Sequence, residues 1–372
     1  MPNVLHAIDT TGPGGAETVF VSLAEHFSRP PYRSIAMIRG PGWVKDQLDA
    51  RGIPVTVEES RGSVNLSYLR RFVGHLERHE IDLVHSHLPG ANLYGSMAGR
   101  IRGIPVISTF HGSVDVRSQG RMDGLKHRII RRWSHVVAVS APLQEELART
   151  LDVPVEQISL IPNGIDCGKF AEAEPLRLRE QLQLSPQSLI IGSLGNIRPA
   201  KAYDVGLRAL KVLRDSGVDA HWFVAGQDRP GDSLLGELKS LAKALDIEQH
   251  VSFLGFVERP ERFLADLDVF LLCSSSEGHP LALTQAMAAG KAIVATRCGV
   301  ESLLGDGRLG WLADAGDAPA LARVFQQVLA GGDEVAQKSR SAQAFVGERF
   351  DYAVVCERYK KLYDELLLRG SQ

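Results

Sequence analysis

A single acid stands among small residues and a proline in the segment 268–295, which reads DVFLLCSSSEGHPLALTQAMAAGKAIVA. Its apolar start predicts a buried strand, which ends in a Ser-rich loop that carries Glu277. Residues 281–289 predict a helix, because Pro280 suits the first turn and Gly290 suits the position just past the end. In open α/β sheets, ligands bind at the carboxyl ends of strands, and a helix N-terminus there favours phosphate. The segment therefore predicts a ligand site with one carboxylate and free backbone N–H groups.

Two cations follow another predicted strand. Residues 194–204 read LGNIRPAKAYD, so that Arg198 and Lys201 share the loop between a strand and a helix. Positive side chains at this position would stabilise charge that develops on a leaving phosphate. The alternative is that both are solvated surface residues, which is the commoner position of Arg and Lys.

A glycine-rich loop follows the first predicted strand, where residues 9–17 read DTTGPGGAE. Gly14 and Gly15 lack a Cβ atom, so their backbone N–H groups can approach an anion closely. The dinucleotide pattern G-x-G-x-x-G fails because Glu17 stands at its last position, and no Gly-Lys-Ser/Thr follows either. These failures argue against a Rossmann dehydrogenase and leave a phosphate loop or a plain tight turn.

The histidines and cysteines do not have the spacing of a metal site. His85 and His87 alternate along one predicted strand, and His111 follows the next, but no carboxylate or cysteine completes a ligand set. The four cysteines are far apart and form no C-x-x-C pair. We therefore predict no metal, and a histidine at a strand end, such as His111, is usually structural.

Length and composition indicate a globular protein of two domains. The chain has 372 residues, of which 44% are hydrophobic and 23% charged, and its net charge is −2. This balance gives no reason to expect a nucleic-acid partner. The first residues enter a strand pattern without the features of a signal peptide, and no apolar run reaches the ~20 residues of a membrane span. These features predict a protein that is cytoplasmic and soluble, or that is bound peripherally at the inner face of the membrane.

Strand and helix patterns alternate along both halves of the chain. Strands are predicted at 4–8, 34–38, 83–87, 106–110, 136–139, 158–161, 189–194, 221–225, 251–254, 269–273 and 292–295. Helices are predicted at 16–27, 66–79, 91–101, 141–151, 204–216, 234–245, 261–265, 318–329, 334–348 and 352–368. This alternation predicts an α/β protein with two Rossmann-like domains and parallel sheets. Turn signals in IPNGIDCGKF place the boundary near residue 165, which gives domains 1–165 and 166–351.

The segment around Glu277 resembles a motif of the retaining GT-B glycosyltransferases of family 4 (glycosyl transferases group 1). The shared residues are Glu277, Gly278, Pro280, Ala286, Met287, Ala288 and Gly290. The family has a second acid eight positions after the first, where this chain has Gln285. It also has Gly-Arg…Lys-Gly after the first strand of the second domain, where Lys201 matches, Asn196 replaces the Arg, and Ala202 replaces the final Gly. The resemblance covers residues 14–317, nearly the whole chain.

The resemblance implies a role for each of these positions. The implied catalytic residues are Lys201, Glu277, Arg198 and His111, with the two cations on the diphosphate and the other two on the donor sugar. The implied substrate and nucleotide contacts are Gly14, Gly15, Glu17, Asn196, Gly226, Val257, Gly278, His279, Pro280, Leu281, Ala282 and Gln285. The side chain of a Gln at position 285 can accept a hydrogen bond from a ribose hydroxyl. It cannot form the stronger, charge-assisted hydrogen bond that the family's acid forms.

The resemblance also implies an architecture and a reaction. The two sheets of a GT-B enzyme face a central cleft, and a C-terminal helix, here 352–372, packs back on the first, acceptor-side domain. The implied reaction moves a hexose from a UDP- or GDP-sugar, without a metal or another cofactor, to a glycan or lipid-linked acceptor of the cell envelope or an exopolysaccharide. Two rivals stay open: a GT-B nucleotide-sugar epimerase, and a non-catalytic sugar-nucleotide binder, which Gln285 and Asn196 would suit.

Residues 117–135, RSQGRMDGLKHRIIRRWSH, carry six basic residues against Asp123. Apolar residues recur among them at helical spacing. A basic amphipathic helix is typical of proteins that contact anionic membrane surfaces, and the alternative is an ordinary helix with its apolar face in the core.

Overall fold

The computed structural model describes residues 1–59, 65–116, 122–228 and 231–370. The chain forms two compact units. The N-terminal unit comprises Met1–Gly164 together with Ala353–Gln372, and the C-terminal unit comprises Ile165–Tyr352. Each unit has buried apolar clusters of its own.

The N-terminal unit contains a parallel sheet with helices in the connections. Its strands are β1 (Asn3–Ile8), β2 (Arg33–Ile38), β3 (Val55–Val57), β4 (Leu83–His87), β5 (Val106–Phe110), β6 (His135–Ala138) and β7 (Ser159–Leu160). Its helices are α1 (Gly15–His26), α2 (Trp43–Ala50), α3 (Leu66–Arg78), α4 (Pro89–Arg102), α5 (Asp123–Trp133) and α6 (Ala141–Leu151). The strand order is β3-β2-β1-β4-β5-β6-β7. Residues 83–87 and 106–110 are buried throughout, as expected of central strands that are covered on both faces.

The C-terminal unit repeats this scheme. Its helices are α7 (Cys167–Ala171), α8 (Leu178–Gln181), α9 (Tyr203–Asp215), α10 (Leu234–Ala244), α11 (Pro260–Ala265), α12 (Leu281–Ala288), α13 (Ala318–Ala330) and α14 (Asp333–Phe350). Its strands are β8 (Leu189–Leu194), β9 (Ala220–Ala225), β10 (Val251–Gly255), β11 (Val269–Leu272), β12 (Ala292–Thr296) and β13 (Trp311–Ala313), and all pairs are parallel. The strand order is β10-β9-β8-β11-β12-β13.

The last helix, α15 (Tyr352–Gly370), belongs almost entirely to the N-terminal unit. Tyr359 and Tyr363 on this helix are buried. The Tyr363 hydroxyl lies 2.6 Å from Nδ1 of His85 in β4, and the Tyr363 ring packs 4.5 Å from that of Phe27. The helix thus completes the core of the N-terminal unit.

In each sheet the strand order reverses beside the unit's first strand, between β1 and β4 and between β8 and β11. The connections on either side of such a point leave in opposite directions and open a crevice at the carboxyl ends of the strands. The loops after β8 and β11 are therefore brought together, and so are the loops after β1 and β4.

The predicted α/β class with two parallel sheets is confirmed. The sequence does not predict the helices α2, α7 and α8 or the strands β3 and β13. The two missed strands have only three residues each and lie at sheet edges, where a run is too short to show a period. The predicted strand 158–161 is observed only as Ser159–Leu160. Among the described residues, no helix is both long and apolar enough to span a bilayer.

Candidate functional site

The loop after β8 is held in a defined shape before it reaches Lys201. Gly195 has φ of +157°, and its carbonyl accepts a hydrogen bond of 2.8 Å from the Tyr203 hydroxyl. Residues Pro199–Lys201 form a 3-10 turn, and Ala202 begins α9 in the left-handed conformation with φ of +48°. This conformation explains why the family has glycine where this chain has Ala202, because left-handed backbone is strained for a residue with a Cβ atom.

The loop after β11 is tied to this loop by main-chain contacts. The Ser275 N–H donates to the Ala200 carbonyl at 2.8 Å, and the Cys273 thiol donates to the Lys201 carbonyl at 3.3 Å. Burial raises the pKa of the Cys273 thiol to about 12, so this group stays protonated as a donor. The two loops therefore form one structural unit at the reversal point of the sheet.

This arrangement places Lys201 against Glu277. Nζ of Lys201 lies 2.7 Å from Oε1 of Glu277, and the two side chains are 20% and 12% exposed. The Ser274 hydroxyl donates to the same oxygen at 2.5 Å. The sequence predicts the cation and the acid of this contact but not Ser274. Its only sequence signal is a position three residues before the acid, in a loop with three consecutive serines.

The N-terminus of α12 lies directly after this acid. Pro280 is its N-cap residue, and no side chain caps the first turn. The side chain of His279 is buried with its ring 5.0 Å from that of Phe350, so at this position only the backbone can face a ligand. Burial lowers the pKa of His279 to about 4, which leaves it neutral near pH 7. Gly278, Leu281 and Ala282 are half-buried at this helix end, which suits an anion.

Arg198 and Asn196 have different environments. Arg198 is exposed and forms no ion pair with any residue that the structure describes, so its guanidinium is available to an anion. Oδ1 of Asn196 accepts a hydrogen bond of 3.3 Å from the Gln227 N–H, which braces the loop after β8 against the loop after β9. Arg198 can therefore supply the cation that the family has at position 196.

A cavity of about 590 Å³ opens beside these loops. It is lined by Ile197, Gly226, Gln227, Asp228, Leu235, Phe253, Leu254, Gly255 and Phe256. The aromatic residue Phe256 is 40% exposed. A Cβ atom on Gly226 would lie 1.9 Å from the Gly195 carbonyl oxygen, so only glycine fits there. Val257 is not among the lining residues and instead packs against the apolar cluster of the unit.

Gln285 lies in the second turn of α12 and is 8% exposed. Its side chain makes no hydrogen bond to another residue in the described ranges. The amide is therefore able to serve a ligand that enters near this helix.

In the N-terminal unit, His111 is not isolated. It follows β5, and its Nε2 lies 2.9 Å from Nδ1 of His87. His87 is fully buried. The N–H groups of His111 and Gly112 donate to Oδ2 of Asp115 at 2.9 and 3.1 Å. Burial lowers the pKa of His111 to about 4 and raises the pKa of Asp115 to about 6.

The glycine-rich loop forms the start of α1. Gly14 is the N-cap residue, in extended conformation. A Cβ atom on Gly14 would lie 2.3 Å from Oε2 of Glu17, so the Glu17 carboxylate lies close against the helix N-terminus. Gly14, Gly15 and Glu17 thus stand together at the carboxyl end of β1.

One group of histidines approaches the geometry of a metal site. His6, His85 and His87 are buried, and one ring nitrogen of each lies within 4.8 Å of the others. Both nitrogens of His85 already have partners, the Tyr363 hydroxyl at 2.6 Å and the Thr109 hydroxyl at 2.8 Å. No carboxylate or cysteine joins the three within the described residues. The absence of a bound metal stays a prediction.

Family models of known glycosyltransferases match both halves of the chain. The model described as Glycosyltransferase Family 4 matches residues 13–169, and the model described as Glycosyl transferases group 1 matches residues 176–344. The amylovoran biosynthesis glycosyltransferase AmsK of Erwinia amylovora is 28% identical over 289 residues, which are 73% of this chain and 68% of that protein. The N-acetyl-alpha-D-glucosaminyl L-malate synthase of Bacillus anthracis is 28% identical over 300 residues, which are 78% of this chain and 76% of that protein.

The fold has close counterparts among solved structures. Anabaena HepE in complex with UDP-glucose superposes with a TM-score of 0.86 at 22% identity, over 98% of this chain and 99% of HepE. This likeness establishes the GT-B fold.

Proposed function

Because this chain belongs to the GT-B glycosyltransferases of family 4, we propose that it moves a hexose from a UDP- or GDP-sugar to a hydroxyl group of a glycan or lipid-linked acceptor. The chain is a transferase by this membership. The observation that supports the donor is the contact of Lys201 with Glu277 beside the uncapped N-terminus of α12, at the reversal point of the C-terminal sheet.

The donor is proposed to bind along the carboxyl ends of this sheet. Its diphosphate would meet the N–H groups of Gly278, His279, Leu281 and Ala282 together with Lys201 and Arg198, which combine a helix N-terminus with two cations. Its base would enter the cavity that Gly226 and the partly exposed Phe256 line. Gln285 would bind the ribose.

The reaction is proposed to retain the configuration of the sugar. The bond from the anomeric carbon to the diphosphate oxygen breaks, and its electron pair leaves with the diphosphate. The acceptor hydroxyl oxygen then bonds to the same face of that carbon, and its proton passes to a diphosphate oxygen. Lys201 and Arg198 stabilise the charge that develops on the leaving group, and Glu277 holds a sugar hydroxyl. No metal or further cofactor is proposed.

Four residues of the N-terminal unit are proposed to contact substrate: Gly14, Gly15, Glu17 and His111. The backbone of His111 is fixed by Asp115, and its ring is held by His87. At pH 7 the ring would be neutral, so it would act through hydrogen bonds and not through charge. Synthesis of a cell-envelope glycan or exopolysaccharide is the proposed setting, which fits the naming of AmsK as an amylovoran biosynthesis glycosyltransferase.

We also propose that α5 contacts an anionic lipid surface. Leu125 is 47% exposed and Trp133 is 37% exposed on this helix, and the exposed cations Arg128 and Arg132 accompany them. Residues 117–121 of the predicted basic segment lie outside the described residues. Co-sedimentation with phosphatidylglycerol vesicles should fall when Arg128 and Arg132 are replaced by Gln. Equal co-sedimentation of this variant and the wild type would overturn the proposal.

Calorimetric titration in EDTA with UDP, GDP, ADP and NAD tests the donor site. We expect one nucleoside diphosphate to bind and NAD not to bind. Lys201→Ala and Glu277→Ala should each lower kcat with the matching nucleotide sugar by about 100-fold or more, because each removes a group at the breaking bond. Lys211→Ala is the matched control, since Lys211 forms a surface pair with Asp215 at 2.7 Å on α9.

The outcomes separate the open alternatives. Donor conversion without an acceptor would indicate an epimerase, and donor binding without release of nucleotide would indicate a non-catalytic binder. Near-normal turnover of both folded variants would contradict the roles given to Lys201 and Glu277.

A further inference from the structure

We propose that Ser274 is a positioning residue for the transfer reaction. Its hydroxyl group determines which carboxylate oxygen of Glu277 faces the donor sugar. This inference rests on the proposed function of the site. Ser274 lies in the loop after β11, is 1% exposed, and donates its hydroxyl proton to Oε1 of Glu277 at 2.5 Å.

The two oxygens of the Glu277 carboxylate are not equivalent. Oε1 takes both the Lys201 ammonium at 2.7 Å and the Ser274 hydroxyl. Oε2 has no hydrogen-bond partner among the residues that the structure describes, and it retains contact with solvent. An ionised carboxylate accepts several hydrogen bonds, so Oε2 is the oxygen that can receive a sugar hydroxyl.

The backbone around this carboxylate is fixed independently of the side-chain contacts. The Thr296 hydroxyl at the end of β12 donates to the Ser274 carbonyl at 2.5 Å. The Glu277 N–H donates to the Cys298 carbonyl at 2.7 Å. A Cβ atom on Gly299 would lie 2.7 Å from the Glu277 carbonyl oxygen, so this strand end approaches the loop closely. The Ser274 hydroxyl and the Glu277 carboxylate are therefore brought together by the sheet.

The presence of two donors, Lys201 and Ser274, on Oε1 of Glu277 can be explained by the binding of the diphosphate. A diphosphate that binds at the N-terminus of α12 competes with the Glu277 carboxylate for the Lys201 ammonium, because a diphosphate carries more negative charge than one carboxylate. When Lys201 turns to the diphosphate, Ser274 remains as the donor on Oε1. The carboxylate then keeps its orientation at the moment when the sugar arrives. Without the Ser274 hydroxyl, the Glu277 carboxylate would move with the Lys201 ammonium or rotate about its side-chain bonds.

If Ser274 has this role, its replacement should impair turnover of the nucleotide sugar but not binding of the nucleoside diphosphate. Ser274→Ala should leave the affinity for the nucleoside diphosphate alone within about twofold of the wild-type value. It should lower kcat/KM for the nucleotide sugar by about 10- to 100-fold, since one hydrogen bond to a charged group is lost. Ser274→Thr keeps the hydroxyl and should recover a large part of this loss. Ser276→Ala is the control, because Ser276 is exposed and makes no hydrogen bond within the described residues.

Two results would overturn the inference while the proposed function stands. One is a kcat/KM of Ser274→Ala equal to that of Ser276→Ala. The other is a parallel fall of diphosphate affinity, thermal stability and turnover in Ser274→Ala, which would indicate a merely structural serine. A wild-type protein that binds no nucleotide would overturn the proposed function and this inference with it. Wild-type turnover beside an unimpaired Ser274→Ala would overturn this inference alone.

Discussion

Replacement of Gly226 by alanine tests how closely two loops of the C-terminal unit must approach. Gly226 follows β9, and its N–H donates to the Gly255 carbonyl at 2.7 Å. An added Cβ atom would lie 1.9 Å from the Gly195 oxygen, 2.5 Å from the Gly195 carbon and 3.0 Å from the Asn196 nitrogen. All three are backbone atoms, so no side-chain rotation relieves the overlap.

The size of the displacement follows from these distances. An ordinary contact begins at 3.4 Å, so the Gly195 carbonyl must move by about 1.5 Å. The Gly195 carbonyl also accepts the Tyr203 hydroxyl, and the same loop continues to Arg198 and Lys201. A shift of about 1 Å in groups that position a substrate can cost about 100-fold in rate. We therefore expect kcat/KM to fall by about 100-fold in Gly226→Ala, with weaker nucleotide binding.

The assay is steady-state turnover of the nucleotide sugar that the wild type accepts, together with calorimetric binding of its nucleoside diphosphate. Gly236→Ala is the matched control, because Gly236 is exposed on α10 and an added Cβ atom there meets nothing within 4 Å. The control should match the wild type in turnover and gain slightly in helix stability. A folded Gly226→Ala variant with wild-type affinity and turnover would refute the link from this contact to the site.

Three further predictions concern single side chains. Gln285→Glu should tighten binding of the preferred nucleoside diphosphate by about fivefold, because a charge-assisted bond to ribose is the stronger kind; its affinity for the 2′,3′-dideoxy analogue should not change, and a gain with both compounds would contradict ribose contact. Ala202→Gly should raise the free energy of unfolding by about 1 kcal/mol in denaturant titrations, since position 202 has φ of +48°; a loss of stability would show that no strain is relieved. Burial lowers the pKa of His6 in the folded state from 6.5 to about 3. Below pH 6.5 the His6 imidazole is therefore protonated only in the unfolded state, and the free energy of unfolding falls by about 1.4 kcal/mol per pH unit. His6→Leu should therefore gain about 2 kcal/mol relative to the wild type between pH 6.5 and pH 5, as measured by denaturation at both values, and equal acid sensitivity of the two proteins would contradict this account.

The sequence alone predicts those parts of the fold that depend on local patterns. The helix after Glu277 was predicted at 281–289 and is observed at Leu281–Ala288, because a proline and a glycine mark its two ends. Gly290 has φ of +65°, as its position after the helix requires. The edge strand β13 has only three residues, which are too few for a pattern.

The site is predictable in its members but not in its contacts. Lys201 and Glu277 are 76 residues apart, and their contact arises from the placement of β8 beside β11. No local feature of the sequence fixes that neighbour relation. For the same reason the partner of His111 was missed, since His87 reaches it only through the pairing of β4 with β5. The environment of Asn196 also needed the structure, because its bond to Gln227 joins two different loops.

The packing of α15 has a consequence for biosynthesis. The N-terminal unit needs Tyr363 for its core, yet this residue is synthesised after the whole C-terminal unit, Ile165–Tyr352. On the ribosome, residues 1–164 must therefore wait with part of their apolar surface uncovered, while the continuous segment that follows can already fold. Synthesis of α15, not emergence of residues 1–164, is the step after which the N-terminal unit can close its core. A stalled chain that lacks residues 353–370 would thus be a substrate for chaperones and proteases even though every strand of both sheets has been made.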